Sequence, residues 1–228
     1  MAVMRAHGRR SYRRHGWGSV AAMLTICSAG TASAGPEPWF APELYYGVGA
    51  GAGFLGNAGE LDVCPVAGAA GACLPLGEPA GGGASVLVGL RAFGWLGLEL
   101  GYDVFLHSGE DGDAFDLATL QAIRVEARFL LMSGATFEPY LLAGGGLYLL
   151  GDEYDVAGVG GGFQVGAGVD VYLARALSLG ASVTYRGVGM GSFGVPASDL
   201  PWGADGTAAG GFLHGATVRI DVTVHSVY

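Results

Sequence analysis

The chain has 228 residues, of which 51% are hydrophobic and only 14% are charged, and its formal net charge is −9. It contains 44 glycines and no lysine, whereas a soluble domain carries about 25% charged residues, with lysine among the commonest. The length suits one all-β domain. This composition argues against an ordinary water-soluble domain, and the acidic balance argues against nucleic acid as a partner.

The N-terminal segment has the pattern of a secretory signal peptide. Five arginines precede the short apolar stretch VAAMLTI, and Ala32-Ser33-Ala34 supplies a small-residue cleavage site. We therefore predict a signal peptide over 1–34 and a mature domain over 35–228. Cleavage would leave a charge of about −14, because the leader holds five of the eleven arginines and none of the twenty acidic residues.

Eight segments alternate between two faces, which is the pattern of β-strands. No window offers the roughly 18 consecutive apolar residues of a membrane helix, because glycines and charges interrupt each candidate. Most of the predicted strands have ten to fourteen residues, which suits a tilted membrane strand of about 9–11 residues better than a globular strand of about five or six. They lie at 44–55, 84–93, 95–106, 117–132, 137–150, 162–173, 177–188 and 211–227.

The connections between these strands alternate between longer and shorter. The longer connections are 56–83, 107–116, 151–161 and 189–210, and the shorter ones lie near Gly94, at 133–136 and at 174–176. Bacterial outer-membrane barrels have this asymmetry, with short turns on the periplasmic side and longer loops outside. We predict an eight-stranded antiparallel transmembrane β-barrel, an up-and-down meander in the outer membrane with both mature termini in the periplasm.

One face of the predicted strands carries no charge, and the opposite face carries five arginines and five carboxylates. A soluble meander or sandwich would place the apolar face inside. The absence of lysine, the balance of arginine and acid, and the interleaved glycines favour charges that pair within a narrow lumen. Such a filled lumen predicts a plugged barrel and argues against a general porin. The charged residues are Arg91, Glu99, Asp103, Arg124, Glu126, Arg128, Asp170, Arg186, Arg219 and Asp221.

Aromatic residues near the strand ends could form the two girdles of a membrane barrel, although generic sheet packing explains each one equally well. The strand over 137–150 could place either set of its side chains inside, because its AGGG centre has no clear polarity. The aromatic candidates are Tyr45, Tyr46, Trp95, Tyr102, Phe105, Phe137, Tyr140, Tyr148, Tyr172 and Tyr185.

The sequence resembles the small outer-membrane β-barrel proteins of the OmpA N-terminal, OmpX and OmpW type. The resemblance covers nearly the whole predicted mature chain and is clearest in EPYLLAGGGLYLL, GAGVDVYLARALSLGASVTYR and ATVRIDVTVHSVY. It implies contact with outer-membrane lipid and lipopolysaccharide. The last segment, which ends in Tyr228, is similar to the signal that such proteins present to the barrel-assembly machinery.

Two features of the long loops suggest further sites. Cys64 and Cys73 lie in the first loop of a chain predicted to reach an oxidising compartment, so we expect them to form a disulfide. Acidic residues crowd the next two loops, where divalent cations could bridge them to lipopolysaccharide, although solvated loop charge is the simpler interpretation. They are Glu110, Asp111, Asp113, Asp116, Asp152, Glu153 and Asp155.

Nothing in the sequence indicates catalysis or a cofactor. His225 and Ser226 are adjacent and would face opposite sides of a strand, and no serine stands at a position that clearly matches His225. The function that we expect is structural or surface-binding. A narrow channel or hydrophobic-solute conduit of the OmpW kind is the alternative, and a lipid A-modifying enzyme is the third hypothesis.

Overall fold

The computed structural model describes residues 43–57, 62–66, 71–74, 80–108, 117–152, 155–196, 200 and 203–226. The predicted signal peptide and Tyr228 lie outside these ranges. Among the described residues, no helix is long and apolar enough to cross a membrane.

Eight long antiparallel strands close into a barrel in which each strand pairs with its neighbours in the meander, and the first strand pairs with the last. The predicted fold is therefore confirmed. The long strands are β1 (Glu43–Asn57), β3 (Ala80–Phe93), β4 (Leu96–Ser108), β5 (Leu117–Leu130), β6 (Phe137–Asp152), β7 (Asp155–Ala174), β8 (Leu177–Met190) and β11 (Gly211–His225). Three short strands, β2 (Val63–Pro65), β9 (Phe193–Val195) and β10 (Gly206–Ala208), form a separate small sheet.

The two ends of the barrel differ. One end, here the turn end, carries the short connections at 94–95, 131–136 and 175–176 together with the start of β1 and the end of β11. Gly134 has a φ of 79° there, a left-handed conformation that glycine adopts without steric cost. The opposite end, here the loop end, carries the other connections and the small sheet.

The prediction of a medium-length loop over 151–161 is wrong. In the structure β6 and β7 continue as a paired ribbon until only residues 153 and 154 separate them. Glycines at 158 and 160–162 hide the alternation in the sequence, but their backbones still make the ladder, as in the pairs Leu147 with Gly161 and Leu149 with Val159. Glycine has no side chain to mark a face, so periodicity fails where its backbone is nonetheless extended.

Along most of their length the strands alternate between an exposed apolar face and a buried, largely polar face. Large apolar side chains stand outside on each strand, including Val86, Leu100, Val125, Val183 and Ile220. Their outward orientation is the reverse of a soluble barrel, in which apolar residues fill the core. An outer surface of this kind suits hydrocarbon.

Candidate functional site

The candidate site is the interior of the barrel. All ten charged residues expected there are buried. The undecided strand, β6, turns Glu138, Tyr140 and Tyr148 inward and Leu141 outward. Glu138 thus adds a sixth carboxylate to the five arginines, and these eleven side chains are here called the lumen network.

Glycines on the inner face make room for the long side chains of the network. A Cβ built at Gly101 would lie 2.5 Å from the guanidinium carbon of Arg124, and one at Gly89 would lie 2.2 Å from the ring of Tyr45. A side chain at either position would displace the group opposite it. The glycine richness of the sequence therefore follows in part from the narrow interior of an eight-stranded barrel.

At the turn end, Arg91 joins the turn around Gly94 to the turn that contains Ser133 and to β6, which carries Glu138. Its guanidinium donates to both carboxylate oxygens of Glu138 at 3.0 Å, to the Ser133 hydroxyl at 2.9 Å and to the Gly94 carbonyl at 3.0 Å. The backbone amide of Gly134 also donates to Glu138 at 2.5 Å. This forked arrangement fixes two turns relative to each other, since paired guanidinium and carboxylate bonds are directional.

Arg128 occupies the next level of the lumen. Its Nε lies 2.6 Å from Glu99 Oε1, and its Nη1 donates to Asp170 at 3.2 Å. The guanidinium also stands over the ring of Tyr140, 4.4 Å from the centroid. One arginine thus contacts two acids and an aromatic face from different strands.

The centre of the lumen contains the most enclosed charges. Arg124 donates through Nε to Asp103 at 3.1 Å and also hydrogen-bonds Glu126, which in turn accepts from Gln164. Arg186 donates to Asp103 at 2.5 Å. Four strands, β4, β5, β7 and β8, are cross-linked through these groups, and the pairing offsets the cost of removing each charge from water.

The remaining pair lies on one strand. Arg219 Nε donates to Asp221 at 2.9 Å, and Ser85 of β3 contacts the same carboxylate at 3.5 Å. Each arginine of the lumen network therefore contacts at least one carboxylate. Two cavities lined by residues of the lumen network and their neighbours measure about 10 and 20 Å³, which is room for about one water molecule each.

Above the network, towards the loop end, the interior becomes apolar. Arg186 packs against the ring of Phe105, 5.2 Å from its centroid, which marks the boundary. This outer apolar cluster combines side chains of the barrel wall with side chains of the small sheet. Its members are Val63, Phe105, Ala118, Leu120, Ala122, Tyr148, Leu150, Val188, Met190, Phe193, Val195, Leu200, Ala208 and Leu213.

A serine does stand next to His225, contrary to the expectation from sequence. The Ser178 hydroxyl lies 2.8 Å from His225 Nε2, and Nδ1 of the same ring contacts Glu43. Serine, histidine and carboxylate in this order have the connectivity of a nucleophile, base and orienting acid. Ser178 is 0% exposed, however, so no substrate reaches it in this conformation, and the three side chains instead join β8, β11 and β1 where the barrel closes.

Several predicted features outside the lumen have mixed outcomes. The structure contains the Cys64–Cys73 disulfide. Tyr46, Trp95, Tyr102, Phe137 and Tyr185 are exposed on the outer face, as girdle residues would be. The girdle assignment is wrong for Tyr45, Phe105, Tyr140 and Tyr148, which are buried inside, and Tyr172 also turns inward to contact Arg91 and His225.

The predicted acidic loop residues lie largely beyond the described ranges. Residues 110–116, Glu153 and the side chains of Asp152 and Asp155 are outside them. Within the part of the chain that the structure describes, no group of three or more histidine, cysteine or acidic side chains could hold a metal ion.

A closed meander of eight antiparallel strands, apolar outside and charged within, is the fold of the small outer-membrane β-barrel proteins. The solved structure of Neisserial surface protein A superposes with a TM-score of 0.55 at 16% identity, covering 79% of this chain and 96% of that one. The outer-membrane protein AlkL, solved in lipid bilayers, gives a TM-score of 0.50 at 12% identity over 88% of this chain and 97% of that one. No protein-family model matches the chain. No curated protein matches its sequence.

Proposed function

We propose that the protein is an integral outer-membrane barrel with a plugged lumen, serving a structural or surface-binding role in the envelope. The observation that carries this proposal is the lumen network, in which paired charges fill the interior; two cavities lined in part by its residues measure about 10 and 20 Å³. A hydrated ion needs a wider continuous path, such as the lumen of barrels with about sixteen strands.

In this proposal the turn end faces the periplasm and the loop end faces the exterior. The outer-membrane lipids contact the apolar outer face, and lipopolysaccharide surrounds the loop end. Arg175 is the one arginine after the predicted leader that is outside the lumen network, and it lies in a turn at the periplasmic end. Contact between the acidic loops and lipopolysaccharide phosphates would therefore need divalent cations as bridges. The barrel-assembly machinery would insert the chain, with Tyr228 in the assembly signal.

Membrane fractionation combined with a gel shift tests the proposal. We expect the protein in the outer-membrane fraction, and we expect detergent-extracted protein to migrate differently before and after boiling, because a closed barrel resists detergent until it is heated. Recovery as a soluble periplasmic protein without a gel shift would contradict the proposal.

The outer apolar cluster favours a second candidate, a conduit for hydrophobic solutes. The smaller cavity lies beside this cluster and is lined by inward-facing Phe105 and Val188 and by Phe54 and His214, which face outward. Conductance and uptake separate the candidates. Planar bilayers containing inserted protein should show no discrete current steps if the barrel is plugged, and vesicles should take up an apolar dye no faster than protein-free vesicles.

We further propose that the protein is not an enzyme. The support is the complete enclosure of Ser178, whose hydroxyl lies within hydrogen-bond distance of His225.

A further inference from the structure

The first and last long connections join in a single sheet over the loop end. β2 comes from the first connection, and β9 and β10 come from the last. Gly206, Thr207 and Ala208 of β10 pair with β2 on one side and with β9 on the other. β2, β9 and β10, together with Leu200, are here called the lid.

The lid inserts apolar side chains into the open end of the barrel. Val63 is 0% exposed, and Phe193, Val195, Leu200 and Ala208 are also buried in the outer apolar cluster. Phe193 lies directly against β7, where a Cβ built at Gly158 would be 2.7 Å from its ring. These side chains pack against those of the barrel wall and bury the apolar end of the interior.

Within the described residues, β2 is held by its three-position pairing with β10, by three further backbone hydrogen bonds and by the disulfide. It has three residues, and so short a strand is not stable by itself. Val63 and Leu74 exchange backbone hydrogen bonds of 2.8 Å in each direction, and Val66 donates to the Asp205 carbonyl at 3.1 Å. The Cys64–Cys73 disulfide closes the hairpin that contains the Val63–Leu74 bridge, and Cys73 is exposed to solvent.

We propose that the Cys64–Cys73 disulfide keeps the lid seated, and that reduction by an external dithiol releases β2 and exposes the outer apolar cluster while the barrel stays folded. In this reaction one thiolate of the dithiol attacks a disulfide sulfur, and its second thiol completes the exchange. The cysteines gain two electrons and two protons and become thiols, and the dithiol becomes a cyclic disulfide. The proposal rests on the proposed function only in assigning this end to the exterior.

The methionines provide a reporter and a control. After residue 42 the chain contains only Met132 and Met190. Met190 is 5% exposed within the outer apolar cluster, whereas Met132 is 54% exposed at the turn end. Methyl-labelled methionine therefore gives one NMR signal at the lid and one at the opposite end of the barrel.

The test compares oxidised protein with protein treated with dithiothreitol, in lipid nanodiscs. We expect reduction to shift or broaden the Met190 signal, to leave the Met132 signal unchanged, and to raise amide hydrogen exchange at Val63 and Thr207 at least tenfold. The double variant C64S/C73S should show the reduced pattern from the start and should not respond to dithiothreitol.

Two outcomes would overturn the proposal. One is an unchanged Met190 signal and unchanged exchange in protein whose thiols are shown by alkylation and mass measurement to be reduced. The other is a change at both methionines with loss of the gel shift, because the disulfide would then hold the whole barrel and not a separate lid. Fractionation as a soluble protein with an intact lid response would contradict the proposed function alone.

Discussion

Asp103 accepts hydrogen bonds from two buried arginines and has no exposed surface. In D103N the carboxylate charge is lost while Arg124 and Arg186 stay buried, so we expect the free energy of unfolding to fall by about 3–5 kcal/mol. Urea unfolding in lipid vesicles, followed by the gel shift, measures this change. The control is D62N, at an exposed position, where a change of no more than about 0.5 kcal/mol is expected. Equal stability of the two variants would show that the network does not stabilise the barrel.

Ser178 has a histidine neighbour with catalytic geometry but no accessible surface. We therefore expect a fluorophosphonate probe to leave the folded protein unlabelled, and S178A to cost only about 1 kcal/mol of stability through the lost hydrogen bond. Labelling is measured by mass spectrometry of the probe-treated protein. A label that appears in the native chain and disappears in S178A would reveal a reactive serine and contradict the non-enzymatic proposal.

The sequence predicts which residues form the charged face but not how they pair. Alternation alone places Arg124 and Asp103 on one face. It does not place Glu138, because the AGGG segment of the same strand has no side chains that distinguish the two faces. Ser178 and His225 are 47 residues apart and meet only because β8 pairs with β11 in one register. A contact of this kind depends on register, which side-chain alternation by itself does not determine.

At the level of the strand, register brings like charges together. Glu99 of β4 stands directly opposite Glu126 of β5, an arrangement that is unfavourable by itself. Arg124 lies between them, bonded to Glu126 and 4.0 Å from Glu99, and Arg128 contacts Glu99 from the other side. The two arginines therefore offset the repulsion between the two glutamates that this register places opposite each other.

If the outer face of the strands contacts lipid, a charged substitution there should destabilise the barrel more in the middle of a strand than at its end. Val125 is 60% exposed in the middle of β5, and Ser108 faces outward at the loop end of β4. If lipid surrounds the barrel, V125R should destabilise it by about 2–4 kcal/mol and S108R by no more than about 1 kcal/mol. Unfolding from vesicles measures both. Similar small effects at the two positions would indicate water outside the barrel.

Side-chain alternation predicts strands better than their ends. The eight long strands lie where the periodicity places them, but β7 begins at Asp155 instead of 162, and β2, β9 and β10 are absent from the prediction. These short strands have three residues each, too few to show a period. Their pairing depends on two loops that are more than one hundred residues apart in the chain and meet over the barrel.

For the whole molecule, the interior is divided into a charged part and an apolar part, and the two differ in how they block the lumen. The lid closes one end with a few apolar side chains of the small sheet and Leu200. The lumen network closes the rest with groups from several strands, so no single loop movement opens it. We therefore expect release of the lid alone to leave the barrel non-conducting.

Opening the lumen should require removal of side chains from the middle of the network. Arg124 and Glu126 are both buried there and bond each other, so R124S/E126S removes two long side chains while preserving net charge. Asp103 keeps Arg186 and Glu99 keeps Arg128, which limits the loss of stability. We expect discrete current steps for this variant in planar bilayers once dithiothreitol has released the lid, and none for the native chain under the same conditions.

The matched control for this variant is Y102S/Q121S, which removes a hydrogen-bonded pair on the outer face, 2.7 Å between Tyr102 Oη and Gln121 Oε1, and leaves the lumen untouched. This control should insert into the bilayer and show no current steps under the same conditions. Steps in the native chain would contradict the plugged lumen, because its charged side chains would then permit ion flow as they stand. If inserted R124S/E126S shows no current steps, the side chains around Arg91 and Arg128 block the ion path. Double substitution of those ion pairs should then produce current steps.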